Sequence, residues 1–477
     1  MSNEKNAARL QGQGVVTMSK EPPEMTRQIF FRSSTVLLVF ASLIAFTSQT
    51  ADGQNFGFNR PVGGVAVDAD GIVRRVTVAE RDQQLQQLRQ QIGQAAGPLN
   101  QATPMRKVSL RGLESALQHA MNEGQGQVPE DVLFLAGLQR IEYVLVYPEQ
   151  GDIILAGPGE GWTIDDQANV VGVTTGQPVL LLEDLLVAFW TADAARREGI
   201  SVSIDPTPEG RQNFRQFMSS QRVFNPAVIP GIQQALGPQQ VTYTGVPVNT
   251  HFARVLVAAD YRMKRLAMNL EPAPIDGLPG FLDLLSQRRR MPTNVMPRWW
   301  LACNYEPLVR SQDKLAWRLR GQGVKAMTED EFVQADGSVV GTGREDPIAK
   351  QWADNMTERF EQLAEKDVVF AQLRNLMDLC IVAALIQQED LYGLAGGVSF
   401  PVLTGPMNGN GVQSWNAPTT VPTQCSFIKI GRNYVITASG GVQIDSWAIA
   451  ARSEVDPAMG QVLEKAAPPE DSSWWWN

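Results

Sequence analysis

The sequence predicts an α+β fold: a mixed sheet with hairpins and packed helices, plus a C-terminal helical pair and a β-hairpin region. Three observations carry this expectation. Strand-like and helix-like patterns alternate from about residue 140 to 270, as in a sheet covered by helices. Turn signals of the hairpin kind, Asp68-Ala69-Asp70-Gly71 and Pro148-Glu149-Gln150-Gly151, stand between apolar runs, which makes the sheet mixed rather than all parallel. Residues 249–270 form the pattern around which the rest is expected to pack. There Phe252, Val255, Leu256, Ala259, Met263, Leu266, Ala267 and Leu270 recur at three- and four-residue steps, so they share one helical face. Arg254, Tyr261 and Arg265 fall opposite, on the face expected to meet solvent. Asn249 or Thr250 supplies a cap, and Pro272 and Pro274 end the segment.

The chain has 477 residues, 43% hydrophobic and 19% charged, the make-up of two or three globular domains. Its formal net charge of -9 argues against a nucleic-acid partner. Cys303, Cys380 and Cys425 are too few and too scattered for a disulfide scaffold, and His119 and His251 are the only histidines.

Residues 35–46, TVLLVFASLIAF, are an apolar run shorter than the ~20 residues a membrane-spanning helix needs. Arg27 and Arg32 precede it and Ala51-Asp52-Gly53 follows. Charged, apolar, then small is the order of a secretory signal peptide. Residues 1–53 therefore read as a signal peptide with an extended N-terminus, Met25 or Met18 being candidate starts. Cleavage near Gly53–Gln54 would leave no transmembrane helix, and the expected location is periplasmic, cell-envelope or extracellular.

Residues 54–100 read as an N-terminal hairpin followed by a Gln-rich polar helix over 83–94. A central α/β core is expected over 101–345. It opens on a helix over 108–121, with Leu110, Leu113, Leu117 and Met121 at helical spacing. IEYVLVY and DIILAG form the clearest hairpin, and the Gly-rich loop 157–162 after it reads as a tight connection, since more strand follows. A buried helix over 177–196, a strand ISVSIDP, a helix over 208–218 and a strand QQVTYTGVP lead into 249–270. RWWLACNYEPLV and KLAWRLRG then read as two strands. Residues 346–460 hold a helical pair and a hairpin region. Asp346 caps and Pro347 opens the first helix, lined by Ile348, Trp352, Met356, Phe360 and Leu363. The second, over 368–386, is apolar nearly all round and expected to be buried with Cys380 inside it. Residues 461–477 read as a flexible tail ending in Trp474, Trp475 and Trp476.

Chemical signatures are sparse. The chain has no G-x-S-x-G elbow, H-E-x-x-H, Walker loop or C-x-x-C, so neither a cofactor nor a metal is expected. Asp68 and Asp70 lack the distal ligands of a calcium loop and read as a turn. His251 is placed at the helix start beside Arg262, a poor setting for a general base. Glu160, Asp165 and Asp166 are weak candidates for a two-carboxylate glycosidase. Trp299, Trp300 and Arg318, with neighbouring Arg298, Arg310, Trp317 and Arg320, could form a basic aromatic face for a polyanion or glycan. The competing reading places these tryptophans in the core and the arginines in solvent. The terminal tryptophans suit an envelope partner.

The stretches GVPVNTHFARVLVAADYRMKRLAM, SIDPTPEG upstream and FAQLRNLMDL downstream resemble a family of exported planctomycete proteins of unknown function. That resemblance extends over most of residues 60 to 455. It implies export and a recurring architecture, and no activity. Two functional expectations follow: an interaction or structural protein of the cell envelope with a protein or glycan partner, or an exported carboxylate-dependent hydrolase acting on glycans.

Overall fold

Two six-stranded sheets carry the architecture. The computed structural model describes residues 60–122, 127–221, 225–287, 297–329, 331–333, 339–341, 343–405, 413–430 and 432–467. In spatial order the first sheet holds Gly323–Thr328, Arg298–Asn304, Ser439–Ile444, Ile200–Asp205, Gln239–Thr244 and Thr420–Val421. The second holds Ser453–Val455, Leu308–Arg310, Ala316–Arg318, Tyr143–Tyr147, Asp152–Gly159 and Thr103–Ser109. Each sheet has one parallel pair, Arg298–Asn304 with Ser439–Ile444 and Leu308–Arg310 with Ser453–Val455. The same two stretches of chain make both pairs, running side by side out of one sheet and into the other. All remaining neighbours are antiparallel, so the α+β class with a mixed, hairpin-rich sheet holds.

Side-chain alternation explains the layers. In Ile200–Asp205, Ile200, Val202 and Ile204 are buried and the residues between them are half-buried, the period of a strand with one face on the core. The hairpin Tyr143–Tyr147 with Asp152–Gly159 is apolar on both faces because both are covered. Val144, Val146, Ile153 and Leu155 join the main core. Leu145, Tyr147, Ile154 and Ala156 pack with Met459 and Ala466 of the helix Ala458–Ala466. Gly440 takes φ +137° opposite Trp299, where a Cβ would collide with the Trp299 carbonyl.

The helix Val368–Gln388 runs through the middle of the molecule, with Cys380 inside it as expected. By length and composition it could cross a membrane, and 89% of its most apolar window is buried inside the protein. It packs on the helices Leu182–Glu198, His251–Ala267 and Ser446–Ala450. The helix His251–Ala267 starts where expected, with the Thr250 hydroxyl accepting from the Ala253 amide at 3.2 Å. Its polar face, however, does not meet solvent: Arg254, Asp260, Tyr261 and Lys264 are all buried. The first sheet lies against one side and two helices against the other, and ion pairs with Asp367 and Glu271 engage Arg262 and Arg265.

Other boundaries shift for local reasons. Residues 103–109 form an edge strand, so the helix expected over 108–121 runs Leu110–Asn122, and Met121 is exposed. The helix expected from 177 begins at Leu182, because Val179 and neighbouring residues bond to strand partners first. The polar helix is Val78–Gln91, with a capping box between Thr77 and Glu80. The apolar stripe after Asp346 is divided at Arg359 into Pro347–Glu358 and Phe360–Lys366, yet Ile348, Trp352, Met356, Phe360 and Leu363 are all buried. The described residues form one compact unit, and strands from both the 101–345 and the 346–460 regions enter each sheet. The expected signal peptide and the terminal tryptophans lie outside the described residues.

Candidate functional site

A polar pocket opens where five parts of the chain converge: the segment at Arg60-Pro61, residues 168–170, residues 179–181 with the first turn of Leu182–Glu198 that follows them, the start of His251–Ala267, and the central helix Val368–Gln388. It is narrow, with a cavity volume of about 20 Å³, room for a water-sized molecule. Gln372, Asn375 and Leu379 line it from the central helix, at the three- and four-residue spacing that puts them on one face. Asp184 sits in the first turn of its helix and His251 at the first position of the other.

The His251 imidazole Nδ1 lies 3.0 and 2.9 Å from the two oxygens of Asp184. This corrects the expectation that His251 stands beside Arg262: its charged neighbour is a carboxylate. Next to the pair, Trp415 forms a hub. Its ring centroid is 5.0 Å from the Arg60 guanidinium carbon, 5.2 Å from that of Arg254 and 5.2 Å from the His251 ring, distances at which a cation is attracted to the ring face. Trp415 Nε1 donates to Glu183 at 2.9 Å, and Arg60 lies 3.6 Å from the same carboxylate. Arg254 Nη2 donates to the Arg60 carbonyl at 3.4 Å, whereas its Nη1 has no hydrogen-bond partner among the described residues.

Burial dominates the electrostatics. It pushes the Glu183 carboxyl above its ordinary range; the neighbouring Asp184 charge adds to this, while His251 and Arg60 oppose it. Burial also lowers Arg60, and with help from the Arg60 charge it brings Arg254 down to about 10. Three buried amides, Asn169, Gln372 and Asn375, complete the lining. Asn375 donates from Nδ2 to the Pro178 carbonyl at 3.3 Å, and both Asn375 Oδ1 and Gln372 Oε1 lack partners. Such an arrangement can orient an imidazole and recognise a small polar molecule. None of its lining residues is Ser, Thr, Cys, Lys or Tyr.

The residues singled out from sequence lie elsewhere. Glu160 is buried and accepts from the Thr174 and Thr175 amides at 3.0 and 2.9 Å and from Gln139 at 2.9 Å. Asp165 closes its own turn on the amides of Gln167 and Asn169, both at 2.8 Å. Asp166 projects into solvent and pairs with Arg89 at 3.1 Å. Each carboxylate thus has a local structural task. Trp299 is wholly buried, packed on Phe281 and Trp352, with its Nε1 donating to the Ala349 carbonyl at 3.2 Å. Trp300 is half-buried on the strand's other face, and exposed Arg318 belongs to the second sheet, over Tyr143. A shared basic aromatic face from Trp299, Trp300 and Arg318 does not form, since these residues belong to two sheets and Trp299 is in the core. Cys303, Cys380 and Cys425 are free thiols, and burial pushes Cys303 up to about 12. Among the described residues no group of three or more His, Cys, Asp or Glu could hold a metal ion.

Sequence reasoning missed Arg60, Glu183, Asp184 and Trp415. One signal was available: Glu183-Asp184 interrupts the otherwise apolar run VLLLEDLLVAFW, and two acids in a buried helix must be paired or neutralised.

Residues 202–281 match a family described as a protein of unknown function, DUF1598. The matched segment holds a domain of unknown function and includes the helix His251–Ala267, with His251 and Arg254 of the pocket. It contains the stretches SIDPTPEG and GVPVNTHFARVLVAADYRMKRLAM, whereas FAQLRNLMDL at 370–379 lies beyond it. No curated protein and no solved structure matches the chain.

Proposed function

We propose that the protein is exported and acts as an interaction or structural component of the cell envelope, without a reaction of its own. The observation that favours this most is the make-up of the pocket. It has acceptors, a guanidinium and an imidazole held by Asp184, but its lining lacks the hydroxyl, thiol or amine nucleophile that such an imidazole would activate. Export rests on the charged, apolar and small-residue order within residues 1–53. The partner is an envelope protein or glycan, with Trp474, Trp475 and Trp476 as the anchor.

The second reading, an exported hydrolase acting on glycans through carboxylates, draws on one observation. Asp184 is buried and the adjacent Glu183 half-buried, and Glu183 has a raised pKa, a state suited to a general acid.

Fractionation of cells producing the full chain tests the proposal. The mature protein should begin near Gln54 and sediment with the envelope. Deleting the three terminal tryptophans should release it without changing Tm. Cytosolic protein with an intact N-terminus would overturn the export reading. Release of reducing ends from envelope glycans, lost on Glu183→Gln, would favour the hydrolase.

A further inference from the structure

We infer that Arg374 on the central helix, backed by Arg140, binds a carboxylate group brought by another molecule. The inference goes beyond the reading above: it concerns a different surface and depends neither on export nor on the terminal tryptophans.

Among the described residues Arg374 is a cation without a paired counter-ion. It stands one helical turn before Asp378, half-buried, and makes no hydrogen bond or ion pair with them. The nearest carboxylate is already taken. One oxygen of Asp378 accepts from the Tyr305 hydroxyl and the other from Arg140 Nε, and Arg140 Nη2 donates to the Gly321 carbonyl at 2.8 Å. Two guanidinium groups thus share one buried carboxylate, so the three side chains keep a net positive charge. Burial, and after it the Arg140 charge, lowers the Arg374 pKa, opposed by Asp378, Tyr305 and Glu361.

The guanidinium is held in place and reached from outside. A Cβ on Gly323, which takes φ +93°, would fall 2.6 Å from Arg374 Cγ and 3.1 Å from its Cδ, so the Arg374 stem fills the space that a side chain there would need. Its Nε is sealed from solvent, whereas the terminal Nη1 and Nη2 are unbonded and reach the surface. A ligand therefore meets two exposed donors and has no cavity to enter. A stem already fixed loses little freedom on binding, and two parallel N–H groups match the two oxygens of a carboxylate. Charge selects among oxyanions. One negative charge neutralises the net charge of Arg140, Arg374 and Asp378, whereas a phosphate dianion would also feel Glu361 beside Arg374 and Glu142 beside Arg140.

Phenylglyoxal labelling of the purified full chain, read residue by residue by mass spectrometry, tests this, since the reagent attacks accessible, unpaired guanidinium groups. Arg374 should label, and saturating acetate or the peptide acetyl-Ala-Glu-Ala-amide should slow its labelling about tenfold relative to chloride at equal ionic strength. Exposed Arg197 should label at an unchanged rate. Stronger protection by the peptide supports the inference and assigns the carboxylate to an acidic side chain of a protein partner; equal or stronger protection by acetate supports it and assigns a small free acid. In Arg374→Gln the rise in Tm with either carboxylate should be lost. The inference is overturned if neither carboxylate protects Arg374, if the Ala-Gln-Ala peptide or inorganic phosphate protects it better than both, or if Arg197 is protected equally. The wild-type labelling decides the matter even if the variant fails to fold.

Discussion

Tyr305 and Asp378 are joined by a 2.5 Å hydrogen bond, the phenol donating to one oxygen of a fully buried carboxylate. The other oxygen accepts from Arg140 Nε at 3.2 Å. Tyr305 follows the strand Arg298–Asn304 of the first sheet, and Arg140 precedes the strand Tyr143–Tyr147 of the second. One side chain on the central helix therefore ties the two sheets together. Burial, followed by the Asp378 charge, raises the Tyr305 hydroxyl well above its ordinary range and keeps it a donor.

Removing that carboxylate leaves the mostly buried Arg140 without its counter-ion. Asp378→Ala should cost about 3–5 kcal/mol, and Tyr305→Phe about 1–2 kcal/mol, in urea unfolding. Equal and small losses for both would mean that the carboxylate is not the tie.

Leu256 is fully buried at the centre of the helix His251–Ala267. Leu256→Ala should destabilise the protein by about 2–5 kcal/mol, the range for emptying a packed leucine site. A much smaller loss in the same melts would remove this helix from its organising place.

Asp260 gives a signed pH effect. Burial raises its carboxyl to about 6 despite the Lys264 ammonium at 2.8 Å. Between the unfolded value of 3.8 and about 6 the native state holds more protons than the unfolded one, so this group's contribution to stability falls as pH rises through that window. Compared with Asp260→Asn, the wild type should lose stability from pH 4 to pH 6. Denaturant midpoints at the two values check it, and a difference that stays flat or grows in favour of wild type refutes it.

Glu160 has the opposite sign. Burial pushes its pKa up, but the hydrogen bonds from Thr175 and Thr174 prevail and hold it below the ordinary 4.5. Its contribution is present above that value and is lost as pH falls through the lower, folded one. Glu160→Gln should cost about 1–3 kcal/mol at pH 7, and the cost should shrink as the solution is acidified. A loss of function at unchanged stability would restore Glu160 as a site residue.

What the sequence determined by itself are the features that depend on neighbours a few residues away. The helix 249–270 was legible because its apolar residues repeat at helical steps and Thr250 can cap it. The hairpin around Pro148-Glu149-Gln150-Gly151 was legible because turn chemistry and two β-rich runs adjoin. Asp346 and Pro347 announced a helix start in the same way. Tertiary structure decided whatever depends on distant partners. Arg254 reads as a solvent-facing residue until Arg60 and Trp415, 194 and 161 positions away in the chain, close over it. Residues 298–309 read as one long strand until the chain passes from one sheet to the other at Tyr305, beside a carboxylate 73 residues further on. The pocket belongs to this second kind: Arg60, Asp184, His251 and Asn375 share no local pattern, and only the packing of the central helix against two others, with the Arg60 segment laid beside them, brings their side chains together. Periodicity reports which face of a helix is apolar, whereas burial of the polar face is set by how many layers cover it, and no local stretch of sequence encodes that number.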